Sequence, residues 1–112
     1  MMDPKKISSY LQRAPRRAYK VKVGEEVSIE LPRVPLTAET EFLELRTEIH
    51  GDDILEASAQ KDESVEGRLL PRSLVRKTVK AGKTHVVVKA FDSLTQKEIP
   101  EVEPLDIEVE AT

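Results

Sequence analysis

Apolar and polar side chains alternate in short runs over most of this chain. Tyr19, Val21 and Val23 alternate with Lys20 and Lys22, and after a Gly24-Glu25 turn Val27, Ile29 and Leu31 alternate with Ser28 and Glu30. A period of two sends successive side chains to opposite faces of a strand, so each run predicts a half-buried strand. Pro32 and Pro35 end the second run and open a loop through Thr40. Leu43, Leu45, Thr47 and Ile49 then share one face, with Phe42, Glu44, Arg46, Glu48 and His50 on the other. His50 to Asp53 reads as a turn, Leu55 to Ala59 as a weaker strand, and Gln60 to Gly67 as a polar loop. Ser73 to Val79 predicts a further strand. Thr84 to Phe91 holds three consecutive valines, which implies a central strand flanked on both sides. Asp92 to Pro104 reads as a loop, and Leu105, Ile107 and Val109 alternate with acids in a last strand.

The first residues follow a different period. Asp3 is placed to cap a helix and Pro4 suits its first turn. Ile7, Tyr10, Leu11 and Ala14 recur at helical spacing until Pro15 ends the run. A helix this short does not persist alone in water. Its apolar stripe needs a cover, supplied either by the rest of the chain or by a partner.

About seven short strands, turn signals between them and no helix long enough for a crossover predict an all-β chain. The expected architecture is an antiparallel β-sandwich of immunoglobulin type with a short N-terminal helix or arm. The expected division is a basic amphipathic arm over 1–17 and the sandwich over 18–112. With 112 residues, 38% of them hydrophobic, one modest core is expected. There is no cysteine, which excludes a disulfide framework, a thiol nucleophile and any metal site built on thiolates. No apolar run is long enough for a membrane-spanning helix, and no apolar stretch follows Met1 to Lys6, so the expected location is the cytoplasm.

Charge changes the picture more than composition does. The net charge is only -3, yet it is segregated: +6 over 1–23, -10 over 24–66, +7 over 67–91 and -6 over 92–112. The basic strand around Lys83–Lys89 is expected between the acidic strands Glu41–Glu48 and Asp106–Glu110, because opposite charges across neighbouring strands attract. The competing reading is a basic surface for nucleic acid or an acidic partner, built from the arm and Arg68, Arg72, Arg76, Lys77, Lys80 and Lys83. Two Tyr, two Phe and no Trp leave little for base stacking, so nucleic acid is not the expected partner.

Catalytic chemistry finds few supports. His50 and His85 are the imidazoles of the chain. His50 adjoins Asp52 and Asp53, an ordinary turn, and His85 shares the charged phase of Lys83 and Lys89. The four glycines are isolated, so no phosphate-cradling loop is present. Asp52, Asp53, Asp92, Glu101 and Glu103 lie in loops without a liganding motif. The expectation is therefore no catalytic residue, no metal site and no cofactor.

Two stretches resemble the scaffold of chagasin-type cysteine-protease inhibitors: Val23-Gly24-Glu25-Glu26-Val27-Ser28-Ile29-Glu30-Leu31-Pro32 and Val79-Lys80-Ala81-Gly82-Lys83-Thr84-His85-Val86-Val87-Val88. The resemblance spans about residues 19 to 110 and implies an immunoglobulin-like sandwich. In that family three loops carry inhibition. Here Val34 to Glu39 holds the place of the first and keeps Pro35 and Thr37, Gly67 stands near the second, and Phe91-Asp92-Ser93 occupies the third. The first functional expectation is a non-catalytic protein–protein interaction module or structural subunit. Its partner is another protein of unknown identity, contacted through Ile7, Tyr10, Leu11, Arg13, Arg16 and Arg17. Exposed strand edges allow a homo-oligomer. The alternative is a diverged protease inhibitor acting through Pro35, Thr37 and Gly67.

Overall fold

The structure is a computed structural model that describes residues 2–112. It is mainly β, with one short helix and two sheets. Helix α1 covers Pro4–Gln12; Asp3 accepts from the Lys5 N–H at its start, as its side chain and the following proline predict. The strands are β1 (Ala18–Val21), β2 (Glu26–Glu30), β3 (Leu43–Gly51), β4 (Leu55–Ala57), β5 (Ser73–Thr78), β6 (Gly82–Asp92), β7 (Lys97–Glu98) and β8 (Leu105–Ala111). The sequence reads the segment holding β7 as loop, but Lys97 and Glu98 pair with Asp92 and Phe91 to close a hairpin.

One sheet runs β1-β8-β6-β3, with β7 on the end of β6, and the other runs β2-β5-β4. The three valines sit where a central strand was expected: β6 lies between β3 and β8, and Val86 and Val88 are fully buried. One pairing departs from the antiparallel expectation. β1 runs parallel to β8, from Ala18 opposite Glu108 to Val21 opposite Ala111. The two strands lie at opposite ends of the chain, so no local crossover helix is required to align them.

Both sheets face a single core, an arrangement compatible with a β-sandwich. Val27, Ile29 and Leu74 of one sheet meet Val86, Val88, Ile107 and Val109 of the other. Ile7 and Leu11 of α1 join the same core at 2% and 0% exposure, so the chain itself covers the helix stripe. The cover thins toward one margin. Leu43 is buried at the start of β3, yet Ile49 on the same face is 49% exposed. No helix among the described residues is long and apolar enough to cross a membrane.

Candidate functional site

The outer face of the larger sheet resolves the charge blocks. Lys83 of β6 reaches Glu108 of β8 at 3.2 Å, and Lys89 reaches Glu48 of β3 at 2.9 Å. Lys20 of β1 stands 4.0 Å from Glu110 of β8. Arg46 bonds Glu44 at 2.8 Å and lies over the Phe91 ring at 4.1 Å. The basic strand is thus flanked by acids on both sides, as cross-strand attraction predicts. Lys89, then His50, hold the Glu48 carboxyl below its ordinary range.

The same face brings the two histidines together. The β3–β6 register sets His50 directly opposite His85, an adjacency invisible in a sequence that separates them by a whole hairpin and more. The His50 ring lies 3.2 Å from Glu48, not beside Asp52 or Asp53, and the His85 ring 2.9 Å from Asp106. The pair stands on an open sheet face, not in a cleft. Asp52 instead accepts from the Lys83 N–H, and Asp92 from the Leu94 N–H. No group of three or more His, Asp or Glu able to hold a metal ion occurs among the described residues.

A second region has the opposite character. At the junction of α1 with two loops, a groove of about 460 Å³ is lined by Tyr10, Arg13, Pro15, Arg33, Pro35 and Arg68. A smaller adjoining pocket of about 230 Å³ shares Pro15, Arg33 and Arg68 with it and is lined also by Glu30 and Arg72. The groove has a simple origin in the backbone. The loop after β2 pairs with the segment before β5: Leu36 N–H donates to Gly67 at 2.8 Å, Leu69 N–H to Val34 at 3.0 Å, and Pro35 bridges Arg68. Buried Val34 and Leu70 anchor the two loops, which leaves Arg33 exposed and Arg68 half-buried beside each other. Ile7 and Leu11 seat α1 against the core, and the next residues of the helix rim, Tyr10 and Arg13, form the opposite wall.

Among the described residues, Arg13, Arg33 and Arg68 make neither an ion pair nor a side-chain hydrogen bond. Arg72 approaches Glu63 only at 3.9 Å. Three unpaired guanidiniums around one concavity make a positive potential suited to carboxylate or phosphate groups, which guanidinium binds in a bidentate fork. The remaining arm residues are occupied: Arg16 donates to the Ala18 carbonyl and lies over the Tyr19 ring at 4.7 Å, and Arg17 donates to the Gln12 carbonyl. Burial pushes the Tyr19 hydroxyl above its ordinary pKa, and that hydroxyl accepts from the Glu30 N–H at 2.9 Å.

The expected site residues are therefore divided. Ile7 and Leu11 lie in the core; Tyr10 and Arg13 line the groove; Arg16 and Arg17 bond backbone carbonyls. Pro35 lines the groove and Gly67 bonds its neighbouring loop, while Thr37 starts a short 3-10 turn closed by Thr40. Arg33 escaped the sequence reading. Its signal is an isolated cation between two prolines inside the acidic stretch. The basic set proposed from sequence disperses: Arg76 bonds Asp62 at 2.7 Å and Lys83 bonds Glu108, while Arg13 of the arm and Arg68 line the larger groove.

No protein-family model matches the chain, and no curated protein sequence matches it.

Proposed function

We propose that the chain is an immunoglobulin-like β-sandwich that serves as a non-catalytic protein-interaction module and receives an acidic segment of its partner in the arginine groove. The observation that carries this reading is the contrast in pairing: Lys83 and Lys89 on the sheet face are met by acids of the chain, whereas Arg13, Arg33 and Arg68 line one groove without an ion pair, and the acid Glu30 lines only the adjoining pocket. The immunoglobulin-like assignment is supported by strand order. The runs β2-β5-β4 and β8-β6-β3 follow the B-E-D and G-F-C orders of that architecture. A groove of about 460 Å³ holds a few residues of extended peptide. Tyr10 and Pro15 supply apolar wall for its stems, and the guanidiniums take its carboxylates. One aromatic in the groove favours a peptide over a stacked nucleic-acid strand.

Calorimetric titration with a short Asp/Glu-rich peptide tests the reading. Saturable binding that weakens with added salt and falls about a hundredfold in an Arg33→Glu/Arg68→Glu variant is expected. Binding that is absent, or unchanged in that variant, contradicts it.

A protease-inhibitor function is the second reading, and loop geometry favours it. The Leu36–Gly67 bond joins the first and second loop positions, and the Ser93 N–H donates to Phe42 at 2.9 Å, which brings the third to the same end. Leu36, Phe42 and Leu94 are exposed there at 56%, 43% and 71%. A papain assay separates the readings: nanomolar inhibition supports the second and displaces the first.

A further inference from the structure

The second feature without a partner is the edge of the larger sheet. β3 ends that sheet, runs nine residues, and keeps uninterrupted register with β6 from Leu43 opposite Asp92 to Gly51 opposite Thr84. Exposed edges are normally blunted by charged side chains, lysine above all, by proline or by a bulge; the charges β3 does carry, Glu44, Arg46 and Glu48, are of mixed sign. Leu43 to Gly51 contains no lysine and no proline, and its register has no bulge. We propose that β3 is a self-complementary edge on which a second copy of this chain docks, the two strands running antiparallel about a two-fold axis through Thr47.

Backbone parity comes first. The Asp52 N–H donates to Lys83 and the Ser93 N–H to Phe42, so even-numbered residues of this stretch turn their backbone groups toward β6. Leu43, Leu45, Thr47, Ile49 and Gly51 therefore present their N–H and C=O groups to the open edge. A two-fold pairing with hydrogen bonds must be centred on one of these odd positions. Centring on Thr47 sets Thr47 against Thr47, Leu45 against Ile49 and Leu43 against Gly51, all hydrogen-bonded pairs of matching parity. It alone engages the whole strand from end to end.

Side chains then agree with the backbone. In this register Arg46 faces Glu48 and Glu44 faces His50, each twice by symmetry, in the non-hydrogen-bonded pairs where side chains lie closest. No like charges oppose. On the inner face Leu45 meets Ile49, which covers the side chain that the chain's own core leaves 49% exposed. A centre at Leu45 would set Phe42 against Glu48 and leave Ile49 beyond the strand pairing. A centre at Ile49 would run half the contact past the end of β3. The two-fold arrangement is isologous and closed, so it gives a dimer with one continuous sheet and not a filament. This inference rests on the β3 edge and is independent of the groove reading.

Sedimentation equilibrium of the full chain up to about 1 mM, a range that reads even weak association, tests it together with two charge-reversed variants. The wild type is expected to form a dimer. Arg46→Glu alone and Glu48→Arg alone each place like charges twice across the axis and are expected to self-associate at least about tenfold more weakly. An equimolar mixture of the two restores both attractions and is expected to form a heterodimer near wild-type strength. A wild type monomeric at the top concentration, variants that dimerise like wild type, or a mixture no tighter than its components overturns the proposal. Amide hydrogen exchange on the wild type keeps the test open should a variant fail to fold. Amides of Leu45, Thr47 and Ile49 should gain protection with concentration while those of Arg46 and Glu48 stay constant; odd amides equally unprotected at every concentration overturn it.

Discussion

The sheet face and the arginine groove draw on the same kind of sequence, blocks of basic residues beside blocks of acids, and end in opposite states. On the face, Lys83 and Lys89 stand across a strand from Glu108 and Glu48 and are paired. In the groove, Arg13, Arg33 and Arg68 come from three separate stretches of chain and line one concavity with no ion pair. Charge segregation along a sequence is thus not one property. On the sheet face strand register draws it into ion pairs; in the groove, where a helix end and two loops converge, it is left unpaired.

Unseating the helix should have the largest effect. Leu11 is fully buried beneath α1, so Leu11→Ala should cost about 2–5 kcal/mol in denaturant unfolding, by lost burial and the cavity left behind. It should loosen the groove wall carrying Tyr10 and Arg13 while the Lys89–Glu48 pair persists. An unfolding free energy within about 0.5 kcal/mol of wild type would show that the helix is not seated as described. The next effect is on binding. Arg33→Glu/Arg68→Glu should lower acidic-peptide affinity about a hundredfold, about 2.7 kcal/mol, and leave thermal stability within about 0.5 kcal/mol, because no ion pair or side-chain hydrogen bond is lost.

Asp62 gives a smaller and pH-dependent effect. Its carboxylate accepts from Arg76 at 2.7 Å and from the Val75 N–H at 3.0 Å, and Arg76 holds its pKa below the ordinary 3.8. A lowered carboxyl stabilises the fold above its ordinary value and loses that contribution as pH falls through the lowered one. Asp62→Ala should therefore cost about 1–2 kcal/mol at pH 7, in part by stranding the Val75 donor, and the gap to wild type should narrow in melts recorded below about pH 4 as the charge-linked part is lost. Smallest of all, Lys89→Ala on the exposed sheet face should change stability by less than about 1 kcal/mol and leave peptide binding unaltered. It should also let the Glu48 carboxyl titrate nearer its ordinary range, read by NMR.

Much of the fold was legible because alternation is a local signal. The valines of β6 announced a central strand, and the acidic phases of β3 and β8 announced its neighbours, since both hydrophobic burial and cross-strand charge favour one order. Pairings between distant segments were not legible. The parallel β1–β8 contact joins the two ends of the chain and leaves no mark on either sequence. The two-residue β7 is too short for any period to register. The groove was half legible: the arm announced Arg13 and the basic block Arg68, but what joins them to Arg33 is hydrogen bonding between Val34–Leu36 and Gly67–Leu69. The histidine pair was hidden for the same reason, because register and not spacing brings His50 opposite His85.

The central claim is that the unpaired arginines lining the groove, Arg13, Arg33 and Arg68, mark the working surface and the paired lysines of β6 do not. Backbone amide NMR of the chain titrated with the Asp/Glu-rich peptide tests it directly. Saturable shifts confined to residues around Tyr10, Arg13, Arg33 and Arg68, with Lys83, Lys89 and their neighbours unmoved, are the predicted result. Shifts centred on the β6 face, or none at any peptide concentration, would contradict it.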